Sequence, residues 1–110
     1  MEDGDKGKVG SMTLEKQENG TDLTITLSGR LDTMTSRQLE AELSALEGKS
    51  FVTLNFSGID YVSSAGLRVL LAMQKKMNAA RGRMKLIHVK SDVNDIFEMT
   101  GFADILTIEP

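Results

Sequence analysis

FVTLNFSGIDYVSSAGLRVLLAMQKKM, residues 51–77, holds the change of period that decides the fold. Phe51-Val52-Thr53-Leu54-Asn55-Phe56 is short, rich in β-formers and apolar at both parities, the pattern of a strand buried on both faces in a parallel sheet. Ser57-Gly58 reads as its end. From Leu67 the apolar residues recur at helical spacing: Leu70, Met73 and Met77 share one face, Leu67 and Leu71 flank it, and Lys75, Lys76 and Asn78 lie mainly on other faces. Arg81-Gly82 stops this helix, and Met84–Val89 (MKLIHV) reads as a second buried strand. Strand, helix, strand in that order predicts a βαβ unit with a right-handed crossover.

Upstream, Met12-Thr13-Leu14-Glu15 alternates apolar and polar, as does the run of Leu23, Ile25 and Leu27 with Thr24, Thr26 and Ser28. Asn19-Gly20 between the two runs signals a hairpin with one face on the core. Gly29–Met34 reads as a loop. Thr35 and Gln38 have capping-box spacing, Leu39, Leu43 and Leu46 recur at i, i+4 and i+7, and Gly48 follows, which predicts a helix over 36–47. Downstream, Ser91 is the expected cap of a short helix with Val93, Ile96 and Phe97 as its stripe and Gly101 as its stop. Phe102–Ile108 is read as a last, short strand. The expected fold is α/β: a single domain over residues 12–110, with a mixed sheet of four or five strands flanked by helices. Residues 1–11 (MEDGDKGKVGS) are charged and Gly-rich, and are expected to be a flexible leader, of non-native origin if Met12 is the natural start.

Composition narrows the function classes. The chain has 110 residues, 40% hydrophobic, with a formal charge of −3 and interspersed signs, which argues against a basic nucleic-acid-binding face. It lacks cysteine, so a disulfide framework, a thiolate metal site and a thiol nucleophile are excluded, and a cytoplasmic location fits. Its apolar runs fall far short of the ~20 residues of a membrane span.

Ser63 and Ser64 precede the long helix. Either hydroxyl can cap a first-turn amide. Gly66, inside that first turn, costs about 1 kcal/mol against alanine, which suggests a close backbone approach. The same helix start tolerates a phosphate, so a serine there suits a charge switch. Nucleophilic catalysis fares badly, because Val62 stands where a GxSxG elbow needs glycine before Ser64. The one histidine, His88, reads as mid-strand among Leu86, Ile87 and Val89 rather than as a base. One histidine and no cysteine also leave no ordinary metal-ligand pattern.

Taken in order, Gly29-Arg30-Leu31-Asp32, Leu54-Asn55-Phe56, Tyr61-Val62-Ser63-Ser64-Ala65-Gly66-Leu67 and Ile96-Phe97-Glu98-Met99-Thr100-Gly101-Phe102 resemble the STAS domain family, over about Met12 to Ile108. Its soluble bacterial members are anti-sigma factor antagonists. The resemblance implies a small mixed sheet flanked by helices, and a partner switch with an anti-sigma factor that is itself a serine kinase. Aligning the motif glycine on Gly66 makes Ser64 the phosphorylated residue, with Ser63 as the alternative. A serine phosphatase of the 2C type would reset the switch, and ATP would belong to the kinase, so this chain would need no cofactor and would not be an enzyme. The resemblance further implies that the loop of Asp32 lies beside the phosphorylation site and helps form a partner-binding surface. The residues expected on that surface are Asp32, Thr33, Met34, Tyr61, Val62, Ser63, Gly66 and Arg68, with Met34, Tyr61 and Val62 as an apolar patch around the serines and Arg68 as a contact for an acidic partner. The sequence departs from the motif in two places: Ser63 replaces the usual acidic residue, and Ala65 stands where a second Ser or Thr is usual.

Two other readings follow from the same residues. One is a STAS interaction subunit of a transport or sensory complex that works without phosphorylation. The other is a small-ligand or nucleotide-binding protein, against which counts the lack of a Gly-rich phosphate loop.

Overall fold

The computed structural model describes residues 12–110, so the expected leader at 1–11 lies outside the described residues. In chain order the elements are β1 (Met12–Asn19), β2 (Asp22–Leu31), α1 (Ser36–Glu40), β3 (Phe51–Val62), α2 (Ser64–Ala79), β4 (Arg83–Ile87) and α3 (Ser91–Thr100). Short 3-10 turns occupy Leu43–Leu46 and Phe102–Asp104. The sheet order is β1-β2-β3-β4; β1 runs antiparallel to β2, and β2, β3 and β4 are mutually parallel. This is the expected α/β architecture, with four strands. Among the described residues no helix is long and apolar enough to cross a membrane.

The hairpin forms where Asn-Gly predicts it, but its two loop residues are Gly20 and Thr21, because Asn19 pairs with Asp22. Gly20 alone takes a positive φ, +65°, the pattern of a type II′ turn. In β2, Leu23, Ile25 and Leu27 are buried, while Thr24 and Thr26 stay partly open. β3 repeats this with Val52, Leu54 and Phe56 inside and Thr53 and Asn55 partly open. The expectation of a strand buried on both faces therefore fails: one face of the sheet carries the core, and Phe51 itself is half exposed. The α2 residues Leu67, Leu70, Met73 and Met77 cover that face. Phe97 from α3 meets Phe56 with ring centroids 6.2 Å apart, tilted by 50°.

Ser57-Gly58 does not end β3. The strand runs on to Val62, because two register shifts carry it past the glycine. Thr26 pairs with Asn55 but Ser28 with Gly58, and Gly29 pairs with Ile59 but Arg30 with Tyr61. Each step leaves one extra residue on β3, so the inward residues change from every second to every third: Phe56, Ile59 and Val62 are all buried. Gly58 is required at the first bulge, since a Cβ there would lie 2.7 Å from Ser28 Oγ and 3.0 Å from Ser28 Cα.

Other boundaries also move. The helix expected over 36–47 breaks after Glu40. Glu42 donates to the Leu39 carbonyl and Ala45 to the Glu42 carbonyl, both at 2.9 Å, which are the tighter bonds of a 3-10 turn. Leu39 and Leu46 still reach the core through this tighter winding. The Thr35–Gln38 capping box is not formed: Thr35 is already helical, and Gln38 Nε2 donates instead to the Met12 carbonyl at 3.3 Å. α2 stops as expected, with Arg81 in the left-handed conformation and Gly82 donating to the Met77 carbonyl at 2.8 Å, a Schellman reversal. β4 ends at Ile87, so His88 lies outside the strand, exposed and at φ +56°. Lys90, not Ser91, is the N-cap of α3, and Gly101 closes it at φ +82°. The expected last strand is reduced to one bridge, Leu86 with Ile108, because Phe102–Asp104 is wound into a 3-10 turn.

Replacing Gly58 with alanine is expected to lower stability by about 1–3 kcal/mol in urea unfolding, through overpacking. Adding Ser28→Ala should restore only part of this, because Cβ and Cα of residue 28, at 2.8 and 3.0 Å, remain in the way. Full restoration would show that the hydroxyl alone set the limit.

Candidate functional site

The site lies at the C-terminal ends of β2 and β3, where both strands hand over to helices. The extra residues on β3 turn Asp60 and Tyr61 outward and Val62 inward. Leu31 pairs with Val62, and the Leu31 carbonyl accepts the Ser63 amide at 2.9 Å. A Cβ at position 66 would sit 2.8 Å from Leu31 Cγ and 2.9 Å from the Leu31 carbonyl oxygen. This is the close approach that Gly66 permits. It joins the start of α2 to the loop that begins at Asp32.

Ser63 is the N-cap of α2, with extended backbone angles, and its Oγ accepts the Gly66 amide at 3.2 Å. Ser64 is the first helical residue and is exposed. The two hydroxyls therefore have different surroundings: one is held by the helix and the other faces solvent. The first turn of α2 contains no acidic residue.

Asp32 supplies the capping that the sequence assigns to Thr35. Its Oδ1 accepts the Met34 and Thr35 amides, both at 3.0 Å, while its carbonyl accepts the Ser36 amide at 2.8 Å. Thr35 is buried; its Oγ1 accepts the Asp32 amide at 2.9 Å and donates to the Arg30 carbonyl. The Thr35 amide is the main cause holding the Asp32 carboxyl below its ordinary range. The Thr35 hydroxyl, the Met34 amide and the Arg30 charge act in the same direction, against partial desolvation.

Of the other residues named from the sequence, Thr33 and Arg68 are exposed, Met34 is 74% exposed and Tyr61 37%. Val62 and Gly66 are buried, so they shape the platform from beneath and cannot touch a partner directly. Asn55 accepts the Ser57 amide at 3.0 Å beside the first bulge and is only partly buried. On α2, Lys76 pairs with Glu47 at 2.9 Å. Sequence reasoning missed Arg30 as a site residue. Its guanidinium lies 4.3 Å from the centre of the Tyr61 ring, and its Nε is 4.0 Å from Asp32 Oδ2. The signal for it is register: Arg30 stands opposite Tyr61 only once both bulges are counted. A groove of about 630 Å³ lies at the other end of β3 and β4, lined by Phe51, Gln74, Asn78 and Arg83 among others, and takes in none of the serine-site residues.

The STAS domain family model matches residues 13–110. The chain belongs to the STAS domain family. One relative is the BtrV protein of Bordetella bronchiseptica, described as a candidate anti-sigma factor antagonist; it is 38% identical over 84 residues, covering 74% of this chain and 72% of that one. The anti-sigma-B factor antagonist of Listeria innocua is 24% identical over 102 residues, covering 90% of each. Among solved structures, the Bacillus anti-sigma factor antagonist SpoIIAA superposes in its unphosphorylated form with a TM-score of 0.76 at 20% identity, over 87% of each chain. Its phosphorylated form gives 0.69 at 19% identity, over 87% of this chain and 90% of that one. These two likenesses establish the fold, and the curated relatives are antagonists by name.

Two consequences of the site geometry are measurable. Ser63→Ala should cost about 1 kcal/mol through the lost cap, whereas Ser64→Ala should stay within about 0.5 kcal/mol. Equal costs in thermal unfolding would mean that both hydroxyls serve the helix. For Asp32, a folded-state pKa below the ordinary 3.8 means that its stabilisation is complete at neutral pH and is lost as pH falls through the folded value. Asp32→Asn keeps an oxygen acceptor for both amides, so the stability gap between the two proteins should be constant near neutrality and shrink below pH 3.8. A gap that ignores pH would assign the effect to shape instead of charge.

Proposed function

We propose that this STAS domain is an anti-sigma factor antagonist working as a phosphorylation-controlled partner switch in the cytoplasm. Unmodified, it binds an anti-sigma factor that is a serine kinase, and so releases the sigma factor for transcription. The kinase then transfers the γ-phosphoryl group of ATP to Ser64. An Oγ–P bond forms, the bond from the γ-phosphorus to the bridging oxygen breaks, ADP leaves, and the hydroxyl proton passes to a base on the kinase. A phosphatase of the 2C type hydrolyses the ester with water, returning Ser64 and inorganic phosphate. This chain supplies the acceptor and the docking surface and performs no catalysis of its own.

The observation that carries the reading is the exposure of Ser64 as the first residue of α2, with the capping task held by its neighbour. A phosphate on Ser64 leaves the Ser63–Gly66 bond intact and lies near the positive end of the helix, so the fold tolerates it. On Ser63 it would sit on the oxygen that caps the helix, which makes Ser63 the poorer acceptor. Around Ser64, exposed Met34 and the Arg30–Tyr61 stack offer the mixed aromatic, Met and Arg character of an interface centre. The antagonist names of the curated relatives and the existence of SpoIIAA in both phosphorylation states support the same function.

The test is incubation with candidate anti-sigma kinases and Mg-ATP, followed by mass mapping of the phosphate and titration of the complex. Phosphate is expected on Ser64, and Ser64→Asp should weaken binding roughly tenfold or more, ~1.4 kcal/mol. Tight binding that ignores both ATP and the side chain at 64 would overturn the switch, and would point to a STAS subunit of a transport or sensory assembly.

A further inference from the structure

Arg68 lies four residues after Ser64 on α2, so the two side chains face the same side of the helix, with Cβ atoms about 5–6 Å apart. Both are exposed. An anionic group N-terminal to a cation at this spacing is the more favourable order. In the unmodified chain the pairing is incomplete. The first turn of α2 carries no acidic residue, and among the described residues no carboxylate lies within ion-pair distance of Arg68. The two carboxylates closest in sequence to this junction are already engaged. Asp32 accepts the Met34 and Thr35 amides, and Asp60 pairs with Lys90 at 2.6 Å. α2 carries no acidic residue along its whole length, so Arg68 has no counter-charge on its own helix.

We propose that Arg68 is the on-chain receptor for a phosphate carried by Ser64. The inference rests on the proposed modification of Ser64 and adds the group that reads it. A phosphoserine dianion offers oxygens at the spacing of the guanidinium fork, and Arg68 can take two of them side by side. The phosphate then alters the surface twice. It introduces negative charge at position 64, and it withdraws Arg68 from anything outside the chain. Unmodified, the helix start presents an exposed Arg68, which suits an acidic patch on the partner. Modified, the same helix start turns locally negative, so such a patch is repelled. Arg68 acts here as a positioning residue for the phosphate and takes no part in the transfer.

The experiment uses the full chain with phosphoserine placed at position 64 by genetic-code expansion, so that no kinase is needed. The phosphorus-31 chemical shift is titrated in the parent, Arg68→Gln and Arg68→Lys proteins at low salt. Loss of the arginine should raise the second phosphate pKa by about half a unit, roughly a threefold change in proton affinity, with lysine intermediate. Salt at about 1 M should shrink the difference, since exposed pairs are screened. A second pKa that is the same in all three proteins would overturn the proposal, and so would a rise as large in Arg68→Lys as in Arg68→Gln. Circular dichroism of the unmodified variants checks that each is folded. A kinase that never modifies Ser64 would defeat the partner switch while leaving this titration unchanged, so the two failures are separable.

Discussion

The carbonyl of Leu31 accepts the Ser63 amide at 2.9 Å, and the Leu31 side chain fills the space that a Cβ at position 66 would need. The site depends on this contact. It brings the end of β2 and the start of α2 to backbone distance, so the Asp32 loop and the serine pair form one surface although they are about thirty residues apart in sequence. Interiors are packed to crystal-like density and do not deform continuously, so the junction transmits position rigidly. Residues with no surface of their own, Leu31, Val62 and Gly66, thereby fix what the surface offers.

Two hydrogen-bonded caps stand on that junction, and each leaves a neighbour free for other work. Ser63 closes the first turn of α2, and Ser64 faces solvent. Asp32 closes the turn before α1 through two amides, and Met34 is left 74% exposed. The depressed Asp32 pKa has the same origin, since amides aimed at a carboxylate favour its charged form. Exposed ion pairs elsewhere, such as Lys76 with Glu47, contribute little by comparison and serve mainly to keep the surface mixed in sign.

The hairpin, α2 and the βαβ order were legible because each is written as a period: two for Leu23, Ile25 and Leu27, and three to four for Leu67, Leu70, Met73 and Met77. What sequence reading lost are the places where a period changes without a break. Ser57-Gly58 looks like a stop, but Gly58 is there because Ser28 crowds it, and this is a fact about a strand thirty residues away. The cap of the α1 turn was misassigned because Thr35 and Gln38 have the spacing of a box while Asp32 has the geometry. His88 was read as a strand residue because nothing local announces the left-handed turn it adopts. The serines were found through helix-cap chemistry and motif spacing together. Arg30 escaped because its aromatic partner is set by the bulged register.

The strands lie in the sheet in the order in which they occur in the chain, β1-β2-β3-β4. Each new strand can therefore be laid beside the one made before it, beginning with a hairpin whose formation takes microseconds. The recognition surface cannot follow so early. Its loop belongs to β2, its aromatic to β3 and its serines to α2, so it closes only when the crossover helix has packed. A growing chain thus acquires its first hairpin well before it acquires a binding face, and the last element of that face, α2, is made before β4 completes the sheet.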